Sequence, residues 1–178
     1  MKSLKGSLIL DNGKLAGSTF HRTVVLICEH DANGAFGLVL NRHLGHTVGG
    51  ALDAVVPEEV ERLPLFWGGP VQPQALSYLI RGTTTAGTNV MPGLRLSHSL
   101  EELEPLGTSV QFKFFAGYAG WGPGQLDNEM KHEAWLAVPA TLELVFHPQP
   151  EALWKLILRT QSLEYRLLAE APDNISWN

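Results

Sequence analysis

The strongest constraint on how this chain folds is a pair of apolar runs joined by a turn. Thr23-Val24-Val25-Leu26-Ile27-Cys28 is β-prone and carries no charge. A run without polar alternation predicts a strand buried on both faces, because neither side of the pleat is marked for water. Asp31-Ala32-Asn33-Gly34 follows, with the residues of a tight turn. Ala35-Phe36-Gly37-Leu38-Val39-Leu40 then resumes the apolar run. The pattern predicts an antiparallel hairpin closed by a four-residue loop. Glu29 and His30 stand towards its turn, and Arg22, Asn41 and Arg42 stand at its open end.

Other segments fill in around the hairpin. Ser3 to Leu10 reads as a first strand and Asp11 to Ser18 as a loop. Thr47 caps a short helix through Val55, and Pro57 opens another with Glu58, Glu59 and Glu61 in its first turns. Leu65-Phe66-Trp67, Ala75 to Ile80, Gly93 to Leu96, Val110 to Ala116 and Trp135 to Val138 read as strands. Thr83 to Asn89 reads as a loop. Ser99 caps a helix with Glu102 in the box position. Gly117 to Gly124 reads as a glycine-dense loop that enters a helix from Gly124 to about Glu133. Pro150 opens an apolar helix through Thr160, and Asp173 to Asn178 reads as a frayed end. With 178 residues the expectation is one domain spanning 1–178. Strands and helices without regular βαβ alternation predict an α+β fold.

Composition removes several function classes. Charged residues are 17% of the chain, and hydrophobic residues are 44%, which excludes a disordered segment. The net charge is −5 and the cations are scattered, so direct nucleic-acid binding is disfavoured. The single Cys28 excludes an intrachain disulfide and a multi-cysteine metal site. It reads as a buried structural thiol, since apolar surroundings raise its pKa. Asp11 interrupts the N-terminal apolar run too early for a signal peptide, and no stretch is long enough to span a membrane. A cytoplasmic protein is expected. No nucleophile elbow, P-loop or H-E-x-x-H is present. Glu129-x-x-His132 is half of a di-metal motif without its second copy, so these read as solvent-facing helix residues. No catalytic residue, metal site or cofactor is assigned.

Two constellations carry candidate binding chemistry. The first is Arg22, Glu29, His30, Asn41 and Arg42. The arginines suit a carboxylate or phosphate, His30 suits a base, and Asn41 offers a donor and an acceptor. The competing reading pairs these charges at a sheet edge. The second is Gly117-Tyr118-Ala119-Gly120-Trp121-Gly122-Pro123-Gly124-Gln125-Leu126. Here Tyr118 and Trp121 suit stacking on a flat ligand, and the helix entry at Gln125 suits an anion. The competing reading has the glycines making a tight turn and the aromatics filling the core. Trp67-Gly68-Gly69-Pro70-Val71 reads as a close-packing point against this second segment.

The same segments carry a resemblance. Gly6-Ser7-Leu8, Phe20 to Asp31 and Gly34 to Arg42 resemble the N-terminal half of the AlgH/YqgE family. Trp67 to Val71 resembles its central motif, and Gly117 to Leu126 its third, with Glu129 and Trp135-Leu136 in register. The match covers nearly the whole chain. It implies a split, antiparallel-rich sheet curled into a pseudo-barrel with helices packed around it. It also implies a bacterial cytosolic protein and a family label of transcriptional regulator linked to alginate production. It carries over no catalytic residue. Gly17-Ser18 stands where the family often has Asp-Pro, His43 where a Pro often follows Asn-Arg, and Arg81 where a His is common. The reading that fits best is a ligand- or protein-binding regulatory module, with an unknown protein or a small anionic ligand as partner. The alternative is a hydrolase working through His30, Glu29, Arg22 and Arg42.

Overall fold

A computed structural model of the chain describes residues 2–53, 55–103 and 109–172. The frayed end expected at Asp173 to Asn178 lies outside them. The strands are β1 (Ser7–Asp11), β2 (Val24–Asp31), β3 (Gly34–Val39), β4 (His43–Thr47), β5 (Pro64–Trp67), β6 (Val71–Arg81), β7 (Thr88–Met91), β8 (Leu94–Ser97), β9 (Gln111–Trp121) and β10 (Trp135–Pro139). The helices are α1 (Val48–Ala51), α2 (Glu58–Glu61), α3 (Gln125–Lys131), α4 (Leu142–Val145), α5 (Leu153–Arg159) and α6 (Leu163–Glu170). The strands form one sheet in the order β10-β1-β2-β3-β9-β6-β8-β7, with β4 on β5 and β5 on β9. Among the described residues only the β5–β9 pair is parallel. This is an α+β fold whose sheet is not closed.

The hairpin forms as the apolar runs predict, with a longer first strand, a second strand that begins one residue earlier and a shorter turn. β2 and β3 extend to Asp31 and from Gly34, leaving Ala32 and Asn33 as the connection. Gly34 has φ +136°, and a Cβ there would overlap the carbonyl of Trp121. β2 is buried on both faces. Val24, Leu26 and Cys28 join one cluster with Leu153, Trp154, Ile157 and Leu158 of α5. Val25 and Ile27 join a second with Ile9, Val39, Trp121 and Trp135 on the other face. A third cluster, including Val48, Val60, Tyr78 and Phe114, sits under α1 and α2.

The split in the sheet explains the glycines. β9 pairs with β6 along one side. Its other side carries β5 at Phe114–Ala116 and β3 at Ala119–Trp121. Two strands share one edge, so the chain leaving β5 must squeeze through the branch. Gly68 and Gly69 do this: a Cβ on either would overlap the backbone of Gly117 or Tyr118. The Gly68 N–H donates to Ala116 and its carbonyl accepts from Val39, so one glycine bridges both neighbours.

Several expectations are corrected. The segment from Gly117 to Trp121 is strand, because pairing with β3 overrides the local weakness of glycine in strands. Only residues 122–124 turn into α3, which is shorter than expected. β1 starts at Ser7 rather than Ser3, and β7 starts inside the segment read as a loop. The first helix ends at Ala51 rather than Val55, with the Thr47 hydroxyl accepting from Gly50 as its cap. β4, α4 and α6 are additions; each is short or exposed, so its hydrophobic pattern is weak.

Candidate functional site

The open end of the hairpin is occupied by the protein's own backbone. Asn41 Oδ1 accepts from the Val24 N–H at 2.9 Å, and its amide donates to the Arg22 carbonyl at 2.9 Å. Both halves of its donor–acceptor capacity therefore hold the entry of β2. Arg42 donates to the carbonyls of Thr19 and His21 (2.7 Å for the latter) and lies over the Trp67 ring at 5.1 Å. Burial lowers the Arg42 pKa. Arg22 donates to the Ala171 carbonyl at 2.6 Å, and its guanidinium lies 4.8 Å from the Trp154 ring centre.

The centre of this end is Asp11, which sequence reasoning treated only as the end of an apolar run. It is fully buried. Its Oδ1 accepts from the N–H groups of Gly13 (2.8 Å) and Leu15 (3.1 Å). Its Oδ2 accepts from Arg22 N–H (2.7 Å) and faces His21 Nδ1 at 3.4 Å. Its carbonyl accepts from the Trp154 indole at 2.7 Å. An Asp before Asn12-Gly13 is the local signal for such a turn, since its carboxylate reaches the N–H two residues on.

The tip of the hairpin behaves differently. A bulge lies between Ile27 and Glu29, after which the pleat places Glu29 and Asp31 outward and His30 inward. Glu29 and His30 therefore point to opposite faces, and Glu29 does not orient the imidazole. His30 is buried instead against α3 and the N-terminal segment. Its Nδ1 accepts from the Leu4 N–H at 3.0 Å, and its Nε2 is 3.4 Å from Asp127 Oδ2. With Nδ1 accepting, the ring proton sits on Nε2 towards Asp127, and neither nitrogen has a lone pair open to a substrate. The base role in the hydrolase alternative has no support in this geometry.

Glu29, Asp31, Asn33, Gly34, Ala35, Phe36 and Trp121 line a shallow depression of about 230 Å³. The hairpin and the glycine-rich segment meet here, because Ala35 pairs with Trp121 and Phe36 with Gly120. Of the residues marked in the sequence, Glu29 and Trp121 line the depression together. Arg22, His30, Asn41, Arg42, Tyr118 and Gln125 do not.

Tyr118 and Trp121 are an odd number of residues apart on one strand, so they face opposite ways. Tyr118 stacks on Phe36 at 4.8 Å, and Trp121 packs with Trp135 at 6.2 Å. They form no common stacking platform. Glu129 accepts from the indoles of Trp121 (2.9 Å) and Trp135 (2.8 Å), and from the Gln125 amide at 2.9 Å. Gln125 Oε1 in turn accepts from the Gly122 N–H at 3.0 Å. The residues around the α3 entry thus hold one another. His132 turns its Nδ1 to the Asn128 carbonyl of its own helix, away from any partnership with Glu129.

Lys113 is a second buried charge that the sequence did not mark. Its ammonium donates to the carbonyls of Leu40 (2.9 Å) and Val145 (3.2 Å) and lies 4.2 Å from the Phe66 ring centre. Burial pushes its pKa down to about 7. The same desolvation, with the Glu29 charge adding to it, pushes the Cys28 thiol well up. Among the described residues no three His, Cys, Asp or Glu side chains gather as a metal site, and no helix is long and apolar enough to cross a membrane.

Comparison with known proteins places this geometry among relatives. A family model described as AlgH-like matches residues 8–166. A UPF0301 protein of Chlorobium luteolum is 37% identical over 175 residues, covering 94% of this chain and 91% of the relative. A UPF0301 protein of Streptomyces coelicolor is 37% identical over 187 residues, covering 100% and 97%. The solution structure of the AlgH protein from Pseudomonas aeruginosa superposes with a TM-score of 0.72 at 30% identity, covering 97% of this chain and 99% of that one. A Corynebacterium diphtheriae crystal structure superposes with a TM-score of 0.77 at 23% identity, covering 96% and 94%, and shares the fold.

Proposed function

The chain belongs to the AlgH-like family, and from that premise we propose that it acts as a regulatory binding module whose recognition surface is the depression at the hairpin tip. The observation that carries this reading is that the hairpin and the glycine-rich segment meet at this one place, where exposed polar side chains of the hairpin rim the edge of the buried Trp121 ring. Glu29, Asp31 and Asn33 supply the polar groups, and Phe36 and Trp121 supply the apolar ones. At the open end the equivalent groups are engaged with backbone.

The lining also selects the partner. Two carboxylates give the depression a negative sign, so it complements a cationic group. The small anionic ligand expected from the arginines is replaced in this proposal by a protein that presents a Lys or Arg side chain. A volume of about 230 Å³ falls below the roughly 300–1,000 Å³ of small-molecule pockets. That favours one side chain of a protein over an enclosed metabolite.

The test is site-specific photo-crosslinking from Asn33 in cells. The expected result is a discrete crosslinked protein that disappears in the Glu29→Lys/Asp31→Lys double variant. It should persist in Glu143→Lys, which reverses an exposed charge elsewhere. A crosslink indifferent to the double reversal overturns the proposal.

A further inference from the structure

We infer that residues 12–22 form a strap that opens as a unit while the sheet stays folded, and that Phe20 is a plug seated in a box of three tryptophans. The inference rests on the binding reading above, because Trp121 is both a wall of the box and part of the depression.

The box is defined by ring geometry. Phe20 lies 6.2 Å from Trp67, 6.4 Å from Trp121 and 5.6 Å from Trp135, measured between ring centres. Two of the three indoles are fixed from behind, since Glu129 accepts from both Trp121 and Trp135. These two walls are thus braced independently of the strap, while Trp67 lies under Arg42, which also bonds the strap. The plug comes from a segment with no strand or helix of its own. Its backbone bonds are short turns, from Ser18 to Leu15, His21 to Ser18 and Thr23 to Phe20. Ala16 to Thr19 are exposed, and Leu15 and Phe20 are its only apolar anchors in the cluster below.

The strap has two kinds of attachment. At its base, the Asp11 carboxylate holds the N–H groups of Gly13, Leu15 and Arg22. Gly13, Gly17 and Arg22 have positive φ (93°, 80° and 54°), so the chain turns sharply there. Beyond its base, the attachments are Phe20 in the box, Leu15 in the cluster below, Arg42 to the Thr19 and His21 carbonyls, the exposed contacts of Asn12 and Lys14 with Glu133, and Arg22 to the Ala171 carbonyl. Segments with few buried apolar contacts and exposed backbone open at lower free energy than core strands. Opening would lift Phe20 and leave a cavity shaped for one planar ring beside the depression. The chain's own occupant identifies the ligand class: an aromatic side chain of a partner protein. In the closed state Phe20 blocks it, which makes the strap an autoinhibitory element.

Native-state hydrogen exchange on the intact protein tests the opening. The amides of Ser18 and His21 should exchange at least 100-fold faster than that of Leu26 in β2, and with little dependence on added denaturant. Equal rates with equal denaturant dependence would overturn the strap. N-acetyl-phenylalaninamide, read by tryptophan fluorescence, tests the plug. Phe20→Ala should bind it at least tenfold more tightly than the wild type, with Phe20→Leu as a better-folded second variant. Equal affinity in all three would overturn the box. The Glu29→Lys/Asp31→Lys variant should leave strap exchange unchanged, which keeps a failure of the depression distinct from a failure of the strap.

Discussion

The two ends of the β2–β3 hairpin carry similar kinds of residue and use them in opposite ways. At the open end, Asn41, Arg42, Arg22 and Asp11 bond backbone groups of the chain itself. At the tip, Glu29, Asp31 and Asn33 are exposed around a depression. The difference follows from topology. At the open end the chain enters and leaves through irregular segments whose N–H and C=O groups have no ladder partner. Buried backbone groups must be paired, so polar side chains are recruited to them. At the tip the ladder runs to Asp31 and Gly34, the Asp31 carboxylate accepts from the Asn33 N–H at 2.7 Å, and the side chains of Glu29 and Asn33 are left for other work. Polar residues beside a buried strand therefore do not announce a binding site until the backbone ledger around them is known.

This contrast is open to direct attack by substitution. The largest effect is expected for Asp11→Ala, which removes a fully buried carboxylate and strands the three backbone donors gathered on it. A loss of about 4 kcal/mol, or roughly 10 °C in Tm, is expected by calorimetry. A loss under about 1 kcal/mol would show that water replaces the carboxylate readily.

Lys113 sharpens the comparison, because its ammonium also serves the open end through the Leu40 carbonyl. Its pKa falls from 10.5 to about 7 on folding through desolvation. Between those values the unfolded state holds the extra proton, so this group makes stability rise with pH. Below about pH 7 both states are protonated, and the penalty is constant. Chemical denaturation of the wild type against Lys113→Met should show a difference that changes by about 1.4 kcal/mol per pH unit above pH 7 and is flat below it. A difference independent of pH from 6 to 10 would mean that the amine stays charged in the folded protein.

Asn41→Ala comes next, at about 2 kcal/mol, because it leaves the Val24 N–H and the Arg22 carbonyl without their partner. Asn41→Asp tests the two halves separately: it keeps the acceptor for Val24 and loses the donor to Arg22. The smallest effect is expected at the tip. Glu29→Lys should change stability by less than about 0.5 kcal/mol, as exposed substitutions do, and Asp31→Lys, which also gives up the bond from the Asn33 N–H, by about 1 kcal/mol. A tip substitution as costly as Asn41→Ala would erase the distinction between the ends.

Much of the frame was legible in the sequence. The uncharged run from Thr23 to Cys28 marks a strand with no water-facing side, and the clusters on its two faces answer to that. The Gly68-Gly69 pair marked a close approach, which the branch at Gly117 provides. The site was less legible. Glu29 and His30 are neighbours on one strand, so the pleat sends them to opposite faces, and the bulge after Ile27 decides which of them faces outward. Tyr118 and Trp121 looked like one aromatic pair because a loop has no faces; as strand residues they are divided by the sheet.

Which segments must be buried and where backbones must touch are written along the chain, because apolar runs and missing Cβ atoms are local properties. The roles of Asp11, Lys113 and Glu129 were decided only by tertiary structure. Each holds or braces a group distant in the chain or placed by the turn between two strands: Asp11 with Trp154, Lys113 with Leu40 and Val145, Glu129 with Trp121 and Trp135. A charge is buried when its partners arrive, and only the folded chain sets where those partners lie.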